Sequence, residues 1–87
     1  MKIKKGFVVR SIAGESVVVA LGAASKNFNG IVKLNDTGRF LWDMLEKGCE
    51  KNELVDALLA EYDVDPDTAK RDVDNFVGAL EGANILE

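Results

Sequence analysis

The stretch Asn29-Gly30-Ile31-Val32-Lys33-Leu34-Asn35-Asp36-Thr37 is where this chain changes character. Its first part carries β-branched Ile31 and Val32 and a polar Lys33, the pattern of a short strand. Its second part reads as a helix start, because the Asn35 side chain offers an oxygen to backbone N–H groups two or three residues on. The chain before this stretch reads as strand, and the chain after it reads as helix. A strand placed last in a small sheet, beside a helical layer, has one side left without a partner. Its open N–H and C=O groups form a template for another chain, and the functional expectation rests on that side.

Eighty-seven residues make one domain, residues 1–87, with room for a single modest core. Hydrophobic residues at 47% and charged residues at 30% fit a soluble globular protein. The net charge of −4 conceals an asymmetry between halves. Residues 1–34 carry six Lys/Arg against Glu15 alone, a net +5, whereas residues 35–87 carry five against fourteen Asp/Glu, a net −9. The helical half therefore repels phosphate, and the strand half suits an acidic partner. A single cysteine, Cys49, makes no internal disulfide, and the basic start is too short in its apolar run for a signal peptide. A cytoplasmic protein is expected, with no membrane association.

Outward from the central stretch, Phe7–Ile12 and Glu15–Leu21 read as two strands joined by Ala13-Gly14, a link of hairpin length. Val17-Val18-Val19 is apolar on both faces, as in a central strand. Gly22–Asn27 reads as a loop, and a third strand is expected over about Phe28–Leu34. The first helix spans Asp36–Lys47, with Phe40, Leu41, Met44 and Leu45 on one stripe and Gly48 ending it. The second covers Lys51–Tyr62, with Leu54, Val55, Leu58, Leu59 and Tyr62 repeating that stripe. In the third, Asp65 is the cap, Pro66 takes the first position and Gly82 is the expected stop, with Ala69, Val73, Phe76, Val77 and Leu80 inward. Ile85-Leu86 is expected to fold back onto the domain. The order predicts an α+β fold: a three-stranded antiparallel sheet followed by three helices, with a winged helix-turn-helix-like layout.

Reactive chemistry is sparse. With no histidine, the commonest general base and metal ligand is missing. Cys49 lies between Gly48 and Glu50, without a basic sequence neighbour to activate it. Asp63-x-Asp65-x-Asp67 with Asp74 loosely imitates a calcium loop. However, Thr68 stands where that loop needs glycine, and the same residues are accounted for by the third helix start. No catalytic residue, metal site or cofactor is expected.

Gly6-Phe7-Val8-Val9-Arg10, Gly14-Glu15, Ile31 through Gly38, Trp42, Leu45, Glu61-Tyr62-Asp63-Val64 and Asp72-Val73 together resemble the PqqD-like family, over nearly the whole chain. The resemblance implies a non-catalytic peptide-binding domain, a recognition element for ribosomally made, post-translationally modified peptides. Such domains bind the leader segment of a precursor peptide and present its core to a modifying enzyme, often a radical S-adenosylmethionine enzyme. In the family the leader adds as a strand to the third strand and lies in a groove beside the third helix. The chain departs from PqqD proper in lacking a Pro-Glu-Gly stretch before Leu34-Asn35, so pyrroloquinoline quinone synthesis and other peptide pathways both stay open.

Carried over, the resemblance points to Gly30, Ile31, Val32, Lys33 and Leu34 as the receiving edge. On the third helix, one flank carries Lys70, Asp74 and Glu81, and the other Asp72, Ala79 and Ala83. The small residues of the second flank suit close packing on neighbouring helices, which assigns the first to the groove. The expected peptide-binding set is completed by Lys70, Val73, Asp74 and Val77. Three rival readings are a structural or dimerisation domain, an enzyme-docking domain, and a winged-helix DNA-binding protein. The last is disfavoured, because Lys70 and Arg71 sit among Asp65, Asp67, Asp72, Asp74 and Glu81 on the would-be recognition helix. Monomer and homodimer are both compatible with the sequence.

Overall fold

The computed structural model describes residues 1–28 and 32–87. Strands β1 (Phe7–Ile12), β2 (Glu15–Ala20) and β3 (Val32–Leu34) form an antiparallel sheet in the order β1-β2-β3. Helices α1 (Asp36–Lys47), α2 (Lys51–Glu61) and α3 (Pro66–Gly82) come next, giving the expected α+β architecture. No helix among the described residues is long and apolar enough to cross a membrane.

Ala13 (φ 52°) and Gly14 (φ 82°) both lie at positive φ, the arrangement of a two-residue type I′ hairpin turn whose twist matches its strands. The register runs without interruption from Ile12↔Glu15 to Phe7↔Ala20. Phe7, Val18 and Leu34 point from one face of the sheet into the core, where they meet Leu41, Trp42, Leu45, Leu54, Leu58, Val73 and Leu80. Trp42 is enclosed, so it widens the buried face of α1, and its Nε1 has no hydrogen-bond partner among the described residues. The T-shaped contact of Phe40 with Tyr62, 5.6 Å between ring centroids, ties α1 to the end of α2.

Local chemistry sets the helix ends. The Asn35 Oδ1 accepts from the Gly38 N–H at 2.8 Å, and the Asp65 Oδ1 from the Thr68 N–H at 2.7 Å. The Glu50 N–H donates to the Glu53 carboxylate at 2.7 Å, opening α2. Gly48, at φ 88°, turns the chain after α1 while its N–H reaches the Leu45 carbonyl. Gly6 is required by space as well as by its φ of 95°, since a Cβ there would stand 2.8 Å from the Ala24 Cβ.

Four details differ from expectation. Gly22–Asn27 forms a 3₁₀ turn rather than an irregular loop, and Phe28 lies outside the strand, which among the described residues covers Val32–Leu34. Phe28 instead stacks edge-on against Phe7. The third helix continues through Gly82; Asn84 takes the left-handed position (φ 62°) that Gly82 was expected to supply, a conformation asparagine tolerates. Leu59 is exposed, because its position lies at the margin of the α2 stripe, away from the other layers. The last residues do fold back: Ile85 is fully buried, Leu86 bridges Ile3, and the Lys4 N–H donates to the Ile85 carbonyl.

Candidate functional site

The main-chain direction of every β3 residue is set by the hairpin. In a two-residue turn the closing pair, Ile12 and Glu15, exchanges both of its hydrogen bonds, and pairs alternate from there. Glu15, Val17 and Val19 therefore turn their N–H and C=O towards β1, and Ser16 and Val18 turn theirs towards β3. Because Ser16 opposes Leu34 and Val18 opposes Val32, those two β3 residues bond inward. Lys33, opposite Val17, points its N–H and C=O off the sheet. Among the described residues, β3 has β2 as a neighbour on one side and no strand on the other.

That free edge borders an open groove of about 820 Å³ between β3 and α3. Val32 and Leu34 line it from the strand, Asn35 and Leu41 from the start of α1, and Phe76 and Ala79 from α3. Leu80 adds to this apolar lining, and Asp36 and Asp72 contribute carboxylates. Lys33, on the sheet's outer side, pairs with Glu15 at 3.3 Å. The groove thus sits where the basic strand half meets the acidic helical half, and its carboxylates outnumber its free cations among the described residues.

The groove lies beside the other flank of α3 from the one expected to border it. Asp74 ion-pairs with Lys51 of α2 at 2.8 Å, which turns the Lys70/Asp74 side towards α2 and away from β3. Asp72, Asn75, Phe76 and Ala79 border the groove instead. Ala79, exposed on that flank, leaves space for the cleft, whereas Ala83 packs against the core. The Lys51–Asp74 hydrogen bond also holds the Lys51 ammonium pKa above its ordinary value. Val73 and Val77, at 0% and 2% exposure, are core residues that shape the helix without lining the groove. Val32, Lys33 and Leu34 do lie at the groove. Gly30 and Ile31 lie outside the described residues. Sequence reasoning placed Phe76 in the core stripe; its position on the Asp72/Ala79 side of that stripe is the signal that could have marked the cleft.

Other reactive groups do not gather here. Cys49 lies at the α1–α2 junction, where its N–H reaches the Met1 carbonyl. Burial, and then the Glu53 carboxylate, push its thiol pKa up, the direction opposite to nucleophile activation. Among the described residues no three His, Cys, Asp or Glu side chains form a metal-binding group.

A three-stranded sheet with a free third edge, closed by three helices around a groove, is the form of a small peptide-recognition domain. The chain belongs to the PqqD family: the family model for coenzyme PQQ synthesis protein D (PqqD) matches residues 14–86. Among solved structures it is similar to TbiB1 in complex with the TbiA(beta) leader peptide, at 36% identity and a TM-score of 0.77, covering 100% of this chain and 95% of that one. It also shares the fold of lasso peptide synthetase B1 complexed with the leader peptide, at 20% identity and a TM-score of 0.73, covering 97% and 93% of the two chains. A search of curated proteins finds no match.

Proposed function

We propose that this protein captures the leader segment of a ribosomally made precursor peptide as an added strand on β3. It is non-catalytic, and it presents the rest of the peptide to a modifying enzyme, a radical S-adenosylmethionine enzyme being one kind that fits the family. The observation that carries the reading is the meeting of two features at one place: the outward main chain of Lys33 and the apolar groove beside Phe76 and Ala79. The 36% identical neighbour, whose structure holds a leader peptide, supports it.

The geometry sets what each part contributes. A guest residue opposite Lys33 exchanges main-chain hydrogen bonds with it, and its side chain emerges on the outer face of the sheet. The residues on either side of it, opposite Val32 and Leu34, aim their side chains into the groove. Each main-chain bond stabilises the complex by only about 0.5–1.5 kcal/mol, so apolar guest side chains against Phe76, Ala79 and Leu41 supply the anchoring.

A synthetic leader peptide from a short precursor gene neighbouring this one, titrated into isotope-labelled protein, tests the reading. Amide shifts concentrated at Lys33, Leu34, Asp72 and Phe76 are expected. Shifts absent from both β3 and α3 at saturating peptide would refute it. A DNA duplex in the same assay is expected to move none of these signals.

A further inference from the structure

The charged side chains that line the groove, among the described residues, are Glu15, Lys33, Asp36 and Asp72. Lys33 and Glu15 neutralise each other as an ion pair, which leaves two carboxylates and no free cation. Asp36 has a reason in the fold, since a carboxylate in the first turn of α1 meets the positive end of the helix dipole. Asp72 has no such reason. It lies well beyond the first turn of α3, where the dipole no longer acts. Its neighbours three and four residues away are Thr68, Ala69, Asn75 and Phe76, none of them a cation. By contrast, Asp65 caps the same helix and Asp74 pairs with Lys51. Among the described residues Asp72 makes no ion pair, and it stands exposed on the flank that borders the groove.

The position of this carboxylate fixes what a guest must bring to it. Asp72, Asn75, Phe76 and Ala79, three and four residues apart, grade the α3 wall of the groove from acidic to apolar. Asp72 and Phe76 are about 6 Å apart along the helix axis, a distance an extended guest covers in about two residues. Alternation returns a guest side chain to the groove at that same interval. A guest residue anchored on Phe76 therefore has its next groove-facing neighbour at Asp72. An apolar side chain there strips water from an unpaired carboxylate, and an acidic one is repelled by it. Lysine or arginine lays an apolar stem along the wall and brings the opposite charge to its end.

We infer that the groove selects a leader segment carrying a lysine or arginine about two positions from its apolar anchor, and that Asp72 is the residue that reads this charge. This rests on the leader-recognition reading above and narrows it from any apolar strand to a cationic one. The basic strand half does not draw an acidic segment into the groove, because its cation there, Lys33, is already paired with Glu15.

The probe is the synthetic leader peptide of the neighbouring precursor gene, with affinity read by fluorescence anisotropy. Replacing each lysine and arginine of the peptide by glutamine in turn should find one whose loss weakens binding about 2- to 5-fold at low salt. Asp72→Asn should weaken the parent leader by the same factor and have no further effect on that glutamine peptide. At about 1 M salt both losses should shrink, because the charges are exposed and screened. Asp74→Asn, the same charge change on the α2-facing flank, should leave affinity unchanged. A leader with glutamate in place of the cation should bind Asp72→Lys more tightly than it binds wild type. The peptide substitutions probe the contact without touching the fold, and circular dichroism checks the protein variants. Losses that are absent, that multiply in the combined variant, or that persist undiminished at high salt overturn the inference and spare the recognition reading. A leader that binds through a segment without lysine or arginine does the same. Wild-type protein that binds no leader overturns the recognition reading, and the inference with it.

Discussion

Lys33 stands directly across the sheet from Val17, yet its main-chain N–H and C=O are turned away from that neighbour, towards the side of β3 that has no strand among the described residues. Its side chain meets Glu15 on the outer face, so the residue offers the groove backbone groups and no charge. The two residues beside it have the reverse role, with inward backbone and groove-lining side chains. This alternation divides the site into a generic part and a selective part.

The first prediction separates the two kinds of main chain. Lys33→Pro removes an outward donor on an edge strand, a placement that proline tolerates. It should weaken leader binding about 2- to 12-fold, the equivalent of one hydrogen bond of roughly 0.5–1.5 kcal/mol, with little change in thermal stability. Val32→Pro, by contrast, breaks a bond to β2 and should destabilise the fold by about 1–3 kcal/mol. Paired calorimetric and binding titrations check both, and equal stability losses would count against the derived register.

The second concerns α3. Phe76→Ala should weaken leader binding by about 2 kcal/mol or more, as expected for an aromatic anchor in a groove. Ala79→Arg, on an exposed position, should block the cleft with little effect on folding. Lys70→Ala and Asp74→Ala, on the α2-facing flank, should leave affinity unchanged. Isothermal titration of the four variants against one leader peptide distinguishes the flanks.

The third isolates stability from binding. Leu58 is enclosed in α2 and does not line the groove. Leu58→Ala should lower stability by about 2–5 kcal/mol through lost burial and a cavity. At about 4–8 °C of midpoint per kcal/mol for a domain of this size, scanning calorimetry resolves it easily. Leader affinity measured well below the new midpoint should be preserved.

The fourth is a pH dependence at the α3 cap. The hydrogen bond from the Thr68 N–H holds the Asp65 carboxyl pKa below its ordinary value. A pKa lower in the folded than in the unfolded chain adds stability that is present above the unfolded value, about 3.9, and lost as pH falls through the folded one. The stability gap between wild type and Asp65→Ala should therefore be flat from about pH 5 to 8 and shrink in more acidic solution. Denaturant titrations across that range measure the gap, and a gap that grows on acidification would contradict the cap's electrostatic role.

What the sequence settled by itself was local. Asn35 and Asp65 mark helix starts because a side-chain oxygen reaches an amide three residues away, and Ala13-Gly14 marks a hairpin because its length admits little else. The apolar stripes of α1 and α3 marked most of the core for the same reason: their spacing is a property of one helix. Tertiary packing decided the rest. Which flank of α3 faces β3 depends on how α2 docks, and the Lys51–Asp74 pair joins residues that periodicity cannot relate. The outward turn of Lys33 likewise depends on a register counted from the distant Ala13-Gly14 turn. The small residues Ala79 and Ala83 carry no sign of whether a helix or a cleft will lie beside them, because a short side chain permits close approach and open space alike.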